Sequence, residues 1–285
     1  SGRRGTLTPM YAAPTPSRRA LLGLGGAVAA GALAGCSSGA PTPASSATGS
    51  GSAAPSTGAP TASPTSGSPA ASASQPSGIP SIARTPGPDI AHGPRTRQEV
   101  ALTFHGAGTA DITRGVLDAL AAANAPATVF AVGQWVAQDP SQVKAVHAAG
   151  HEVGNHTFHH LSMLTLDAAT AHQEIQQGRD ILTATLGSPG LWFRPSGTDH
   201  SNDIIRAAAV ELGYGPCISY DVDPEDFRDP GADLVRTRAL AAVKPGSIVS
   251  LHLGHAGTVT ALPGILKGLT QAGLAPVTLS TLLRD

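Results

Sequence analysis

Between Ser37 and Ala83 the chain has no charged residue, and almost every position is Ser, Ala, Pro, Gly or Thr. A segment with so few large apolar side chains cannot offset the entropy lost on ordering its backbone. It is therefore excluded from any packed core. Of the 285 residues, one folded domain is expected over residues 96–285, long enough to bury a sizeable core. Cysteine is scarce too, with only Cys36 and Cys217, which excludes a disulfide-built scaffold. Cys217 lies in the strand-like "GPCISYDV" and reads as a buried apolar thiol rather than a nucleophile. The folded part has no basic stripe and the net charge is -1, so no nucleic-acid partner is indicated. There is no internal repeat and no compositional sign of oligomerisation, and a monomer is expected. The longest apolar run, Ala20 to Ala34, falls short of the roughly 20 residues that span a bilayer.

That run has a different meaning in context. It follows the arginine pair Arg18 and Arg19 and ends in "LAGC", Leu33 to Cys36, a pattern similar to a twin-arginine export signal closed by a bacterial lipobox. An ordinary secretory signal cut near Ala34 explains the apolar run but neither the arginines nor the cysteine. Residues 1–36 are thus read as a signal whose Cys36 takes up lipid, although the residues before Met10 fit no part of it. Residues 37–95 then form a tether, with an end-to-end distance of roughly 40 Å if flexible. The expected location is outside the cytoplasmic membrane, on its outer face through lipid on Cys36, or secreted.

Beyond the tether, apolar strand-like runs alternate with amphipathic helical stretches. "VALTFHG", "ATVFAVG", "HEVGNHT", "LWFRPSG", "CISYDVD", "GSIVSLHLG" and "APVTLSTLL" read as strands, with helices between them. Continuous apolar strands joined by helices imply a parallel sheet covered on its outer face. About seven such units in fewer than 200 residues suggest an α/β fold of the distorted (β/α)7 barrel type. His105, His156, Arg194, Asp223, Asp226 and His252 each fall at or just beyond the C-terminal end of an expected strand. In parallel α/β barrels catalytic groups converge on that rim.

The segment "GNHTFHHLSML" supplies His156, His159 and His160. On a helical turn His156 and His160, four residues apart, would share a face and reach one ion, with His159 pointing elsewhere.

Taken in series, these motifs resemble the polysaccharide deacetylase, or NodB-homology, family of carbohydrate esterases. "TFHGAG" stands where that family has T-F-D-D-G-P, and "GHEVGNHTFHH", "WFRPSG", "YDVDPEDF" and "GSIVSLHLGH" follow in order from Val100 to Leu283. The resemblance implies a barrel that removes acetyl groups from an amino-sugar glycan of the cell envelope with one divalent ion, most readily zinc. In the family the first aspartate of T-F-D-D is the general base, and the second binds metal with the two histidines of H-x-x-x-H. These histidines correspond to His156 and His160. The last-motif histidine, here His252, protonates the leaving amine, and an arginine and an aspartate, here Arg194 and Asp226, form an ion pair that orients the base. Such a division of labour suits an acetamide, whose carbonyl must be polarised and whose amine leaves poorly.

This chain departs from the pattern where it matters most. His105 occupies the base position and Gly106 the metal-ligand position, so both carboxylates are absent. Ser250 replaces the leucine that usually precedes the last-motif histidine by two and lines the acetyl pocket, and Leu253 stands where an aspartate follows that histidine. Three readings follow. His105 could be the third ligand, giving a three-imidazole site of the kind zinc favours. It could instead be the base, since imidazole titrates near neutrality, with Asp111 or Asp199 completing the metal site. Or the domain could bind glycan without turning it over. The persistence of His156, His160, Arg194, Asp226 and His252 favours the hydrolase. Of the rest, Asp223 reads as ending its strand, His255 as a solvent-facing loop residue and Trp192 as core packing, while Asp199 and His200 are candidates for touching substrate.

Overall fold

The computed structural model describes residues 87–284. The expected signal over residues 1–36 and the tether as far as residue 86 lie outside the described residues. Composition places residues 89–93 in the tether, but they make close contacts with the domain. Asp89 accepts from the Ser201 amide at 2.5 Å and pairs with Arg206 at 3.2 Å, while Ile90 exchanges backbone hydrogen bonds with Cys217 and Ser219.

The centre is β1 (Glu99–Gly106), which runs parallel to β2 (Thr128–Ala131), β4 (Ile248–His252) and β5 (Ala275–Val277), with β3 (Glu152–Asn155) parallel to β2 beyond it. The apolar runs become strands because β1 and β2 are covered on both faces. Val100, Leu102 and Phe104 join the larger cluster with Val116, Leu120, Leu262 and Ile265 from the flanking helices. Ala101 belongs instead to an inner cluster with Phe130, Trp192, Ile218, Ile248 and Leu279. Burying a side chain such as Leu102 or Phe104 contributes about 1.5–3 kcal/mol. The two-residue period of a strand then sends Thr103 and His105 to the same inner side as Ala101. His105 is thereby placed inside, at the top.

The barrel is distorted in the way the sequence reading allowed. Five strands form the hydrogen-bonded sheet, while "LWFRPSG" and "CISYDVD" are extended segments tied in by isolated bridges. Phe193 bridges Asn155 of β3, Ile218 bridges Ile90, and Val222 bridges Val249 of β4. The outer layer comprises α1 (Ala110–Ala122), α2 (Gly133–Gln138), α3 (Pro140–Ala148), α4 (Ala168–Leu186), α5 (Asp203–Glu211), α6 (Ala232–Ala242), α7 (Ala256–Gln271) and the short α8 (Leu279–Leu282). Asp139, Asp167 and Asn202 cap α3, α4 and α5 by accepting from backbone amides of the first turn, as short polar side chains do at helix starts. Gly187, at φ 76°, ends α4 in the left-handed conformation that suits glycine. None of the described helices is long and apolar enough to cross a membrane.

Candidate metal centre and cavity

At the end of β3 the chain turns through Thr157 and His160, both with positive φ, at 65° and 59°. The segment 156–160 is therefore a loop and not the helical turn expected from the four-residue spacing, because non-glycine residues in the left-handed region do not continue a helix. Neighbouring side chains hold this uncommon backbone in place. Asn155 accepts from the Thr157 amide at 2.9 Å and donates to Ile175 O and to the Tyr214 hydroxyl. Glu174, buried on α4, accepts from the amides of Phe158 and His159 and from His159 Nδ1 at 2.6 Å. His159 does point away from the site, towards this carboxylate. Glu174 escaped sequence reading because a lone acid on a long helix resembles any solvated residue.

Three imidazoles meet at the rim. One ring nitrogen from each of His105, His156 and His160 lies within 4.8 Å of the other two, and this is the one such group of metal-ligating side chains among the described residues. His156 Nδ1 donates to the Arg194 carbonyl at 2.8 Å, which leaves Nε2 as the lone-pair nitrogen, buried and without a hydrogen-bond partner. His105 Nδ1 is likewise buried and unpartnered, while its Nε2 lies 3.0 Å from Ser250 Oγ. Burial, reinforced by the neighbouring histidines, holds the pKa of His105 and of His156 well below the ordinary value; burial also lowers that of His160. Neutral imidazoles result, the form that ligates metal. The donor set fits a divalent metal such as zinc, which accepts three histidines. Neither carboxylate considered as an additional ligand takes part. Asp111 is exposed in the first turn of α1, and Asp199 pairs with the exposed His200 at 2.6 Å.

The expected ion pair of Arg194 with Asp226 does not form. Arg194, 1 % exposed, donates to the carbonyls of Ile218 and Ser219 and to Thr103 Oγ1, and its guanidinium lies 4.3 Å from the centroid of Phe130. Burial pushes its pKa down to about 9. Arg194 pairs directly with no carboxylate among the described residues, although the nearby Tyr220 and Asp223 partly offset the effect of burial. Asp226 is taken up elsewhere, accepting from the His252 amide, His252 Nδ1 at 2.7 Å and Thr258 Oγ1 at 2.6 Å. The aspartate thus orients the last-motif histidine.

Above these groups opens a cavity of about 500 Å³ lined by His105, His160, His252 and His255 together with Trp135 and Gln134 of α2. The His105 and His252 rings stack at 4.2 Å. His255, expected to face solvent, lines this cavity and lies 3.0 Å from Asp229. Asp223 accepts from the Glu225 amide and its carboxyl is pushed up by burial. Trp192 is core, as expected, and its indole donates to Glu152 and Ser280. Cys217 is 1 % exposed, as a buried thiol should be.

A parallel α/β fold whose strand ends converge on a histidine-lined cavity is that of a barrel-type domain with its site at the C-terminal rim. The chain belongs to the polysaccharide deacetylase family, whose pattern matches residues 92–216. It is 35% identical over 195 residues to a peptidoglycan-N-acetylglucosamine deacetylase of Bacillus cereus, covering 67% of this chain and 91% of that enzyme. A peptidoglycan-N-acetylglucosamine deacetylase of Listeria monocytogenes is 30% identical over 204 residues, 72% of this chain but 42% of that protein. Among solved structures, a CE4 family pseudoenzyme from Bacillus anthracis superposes with a TM-score of 0.65 at 27% identity, covering 70% of this chain and 69% of that one. A mutant of that protein has restored enzymatic activity.

Proposed function

We propose that this protein is a metal-dependent deacetylase of an acetylated amino-sugar glycan of the cell envelope, working through a His105, His156, His160 centre. The observation that carries this reading is the convergence of three imidazoles, His105 and His156 buried with an unpartnered ring nitrogen each and His160 partly buried, beside a cavity that His105 and His160 line. A divalent metal held there would supply Lewis acidity towards an acetyl carbonyl and towards water. The chain's own groups do the rest. Asp226 holds a proton on Nδ1 of His252 and stabilises the charged ring, so that Nε2 can pass a proton to the departing amine. His105 serves as ligand rather than base, because its Nε2 is engaged by Ser250 and its Nδ1 is buried and unpartnered. Arg194 braces the floor by donating to Thr103 and, through its carbonyl, by fixing His156. The relatives' substrates, peptidoglycan and chitooligosaccharide, support the choice of an N-acetylglucosamine polymer. Lipid on Cys36 and a tether running from residue 37 to just before Asp89, where contacts with the domain begin, would hold the domain within reach of the wall.

A second reading, a glycan-binding domain without turnover, is supported by the loss of both first-motif carboxylates and by the likeness to a pseudoenzyme. Elemental analysis of the purified full chain and of His105→Ala and His156→Ala, with deacetylation of chitooligosaccharide followed in parallel, separates the two. The deacetylase reading requires one equivalent of metal in the wild type, its loss in both variants, and release of acetate. Metal lost only with His156→Ala would return His105 to the base role. A wild type that takes up no metal on reconstitution would leave the binding reading.

A further inference from the structure

We propose that Ser250 is the positioning residue of the three-histidine centre, its hydroxyl holding Nε2 of His105 so that Nδ1 is the nitrogen offered to the metal. The inference rests on the metal-dependent reading above and goes on to say how this chain makes an imidazole serve at position 105.

Thr103 and Ser250 are paired across β1 and β4, as are His105 and His252. Ser250 is 1 % exposed, and its Oγ stands 3.0 Å from His105 Nε2. The other polar group near that nitrogen is Arg194 Nη1, at 3.4 Å. A guanidinium can only donate. Left alone with it, His105 would keep its lone pair on Nε2 and its proton on Nδ1, the buried nitrogen that has no other partner, and that nitrogen could not then ligate. A hydroxyl both donates and accepts, so Ser250 can accept from an Nε2–H and free the Nδ1 lone pair. Thr103 assists by drawing the guanidinium away. Its hydroxyl proton is committed to Val249 O at 2.7 Å, and its oxygen accepts from Arg194 Nη1 at 2.9 Å, the shorter of that nitrogen's two contacts.

The leucine expected here from the family pattern could do none of this. In this chain histidine at 105 and serine at 250 therefore act as a pair. A partner that fixes the tautomer and orientation of a ligating histidine commonly changes metal affinity by about 10- to 100-fold when removed.

The test uses the full chain, stripped of metal and titrated with zinc alone against a competing chelator, for wild type, Ser250→Ala, Ser250→Thr and Ser250→Leu. Thermal unfolding of each metal-free protein establishes that it is folded. Ser250→Ala should bind zinc about 10- to 100-fold more weakly and Ser250→Leu more weakly still, whereas Ser250→Thr should recover most of the affinity. Cobalt-loaded Ser250→Ala should show an altered visible spectrum. In the zinc-loaded wild type, nitrogen-15 spectra should place the His105 proton on Nε2. Unchanged affinity and spectrum in Ser250→Ala, or coordination of His105 through Nε2, would overturn the role of Ser250 while leaving the metal centre standing. A wild type that binds no zinc would overturn both.

Discussion

Gly106 shows how far the site has adapted to the absence of a carboxylate. A Cβ there would stand 3.0 Å from Val129 Cγ1 and 3.2 Å from both Phe130 O and Ala131 Cα, so β2 would have to give way. Gly106→Asp should therefore destabilise the fold by about 1–3 kcal/mol, and adding Val129→Ala should relieve the Val129 part of that crowding. Urea denaturation of wild type, single and double variants measures it, and a single variant as stable as wild type would show that β2 yields freely. Cys217 gives a second test at this scale. Burial pushes its thiol up to about 11, and a thiol rather than a thiolate is a poor nucleophile. Iodoacetamide at pH 8 should leave Cys217 unmodified in the native protein and label it in urea, as peptide mass mapping would show; rapid native labelling would contradict the packed environment. Much of this residue chemistry was legible beforehand. His156 and His160 carry a specific motif, and His105 falls on a strand end that alternation sends inward. Glu174 and the His105–Ser250 contact were not legible, since both depend on which elements pack together.

Among elements, α4 and the histidine loop are fitted against each other at Gly178. A Cβ on Gly178 would lie 2.3 Å from Asn155 Oδ1 and 2.9 Å from Thr157 O. Glycine inside a helix ordinarily weakens it by up to about 1 kcal/mol relative to alanine, so Gly→Ala there is normally stabilising. At Gly178 the sign should reverse, and the displaced loop should lower zinc affinity as well. Gly257, in the first turn of α7 with nothing within 4 Å of its would-be Cβ, is the matched control and should gain about 0.5 kcal/mol as alanine. Thermal melts and zinc titration of the two variants decide it, and a stabilised Gly178→Ala would refute the close fit. The same packing explains where element boundaries departed from expectation. Pro263 suits the first turn of a helix, yet α7 begins at Ala256 with Pro263 inside it, since packing on α1 and α6 buries Thr258 and Ala261. α2 is six residues long, too short to show a helical period, and it supplies the Trp135 wall of the cavity.

For the whole molecule, the absence of charge between Ser37 and Ala83 marked off the folded part, and the alternation of runs gave the α/β architecture. The electrostatic character of that architecture is set by what it buries. His105, His151, His156 and His160 all have pKa values lowered, in each case first by burial. In the unfolded chain they would titrate near 6.5. As pH falls through that value the unfolded state takes up protons that the folded state refuses, so stability must fall with it, by up to roughly 1.4 kcal/mol per pH unit for each histidine still neutral when folded. Asp223, raised by burial, works in the opposite direction, its contribution being lost as pH rises, but it is one group against four histidines. Metal-free protein should therefore melt at progressively lower temperature from pH 7.5 to pH 5.5. His156→Ala should shallow that slope by removing one buried imidazole. Zinc should raise the melting temperature at pH 7.5, since a ligand bound to the folded state alone stabilises it. Its effect should fade towards pH 5.5, where protons compete for the same nitrogens. A melting temperature independent of pH across that window would mean that the histidines are charged in the folded state, which three imidazoles gathered this closely beside a buried arginine could not be without an anion among them.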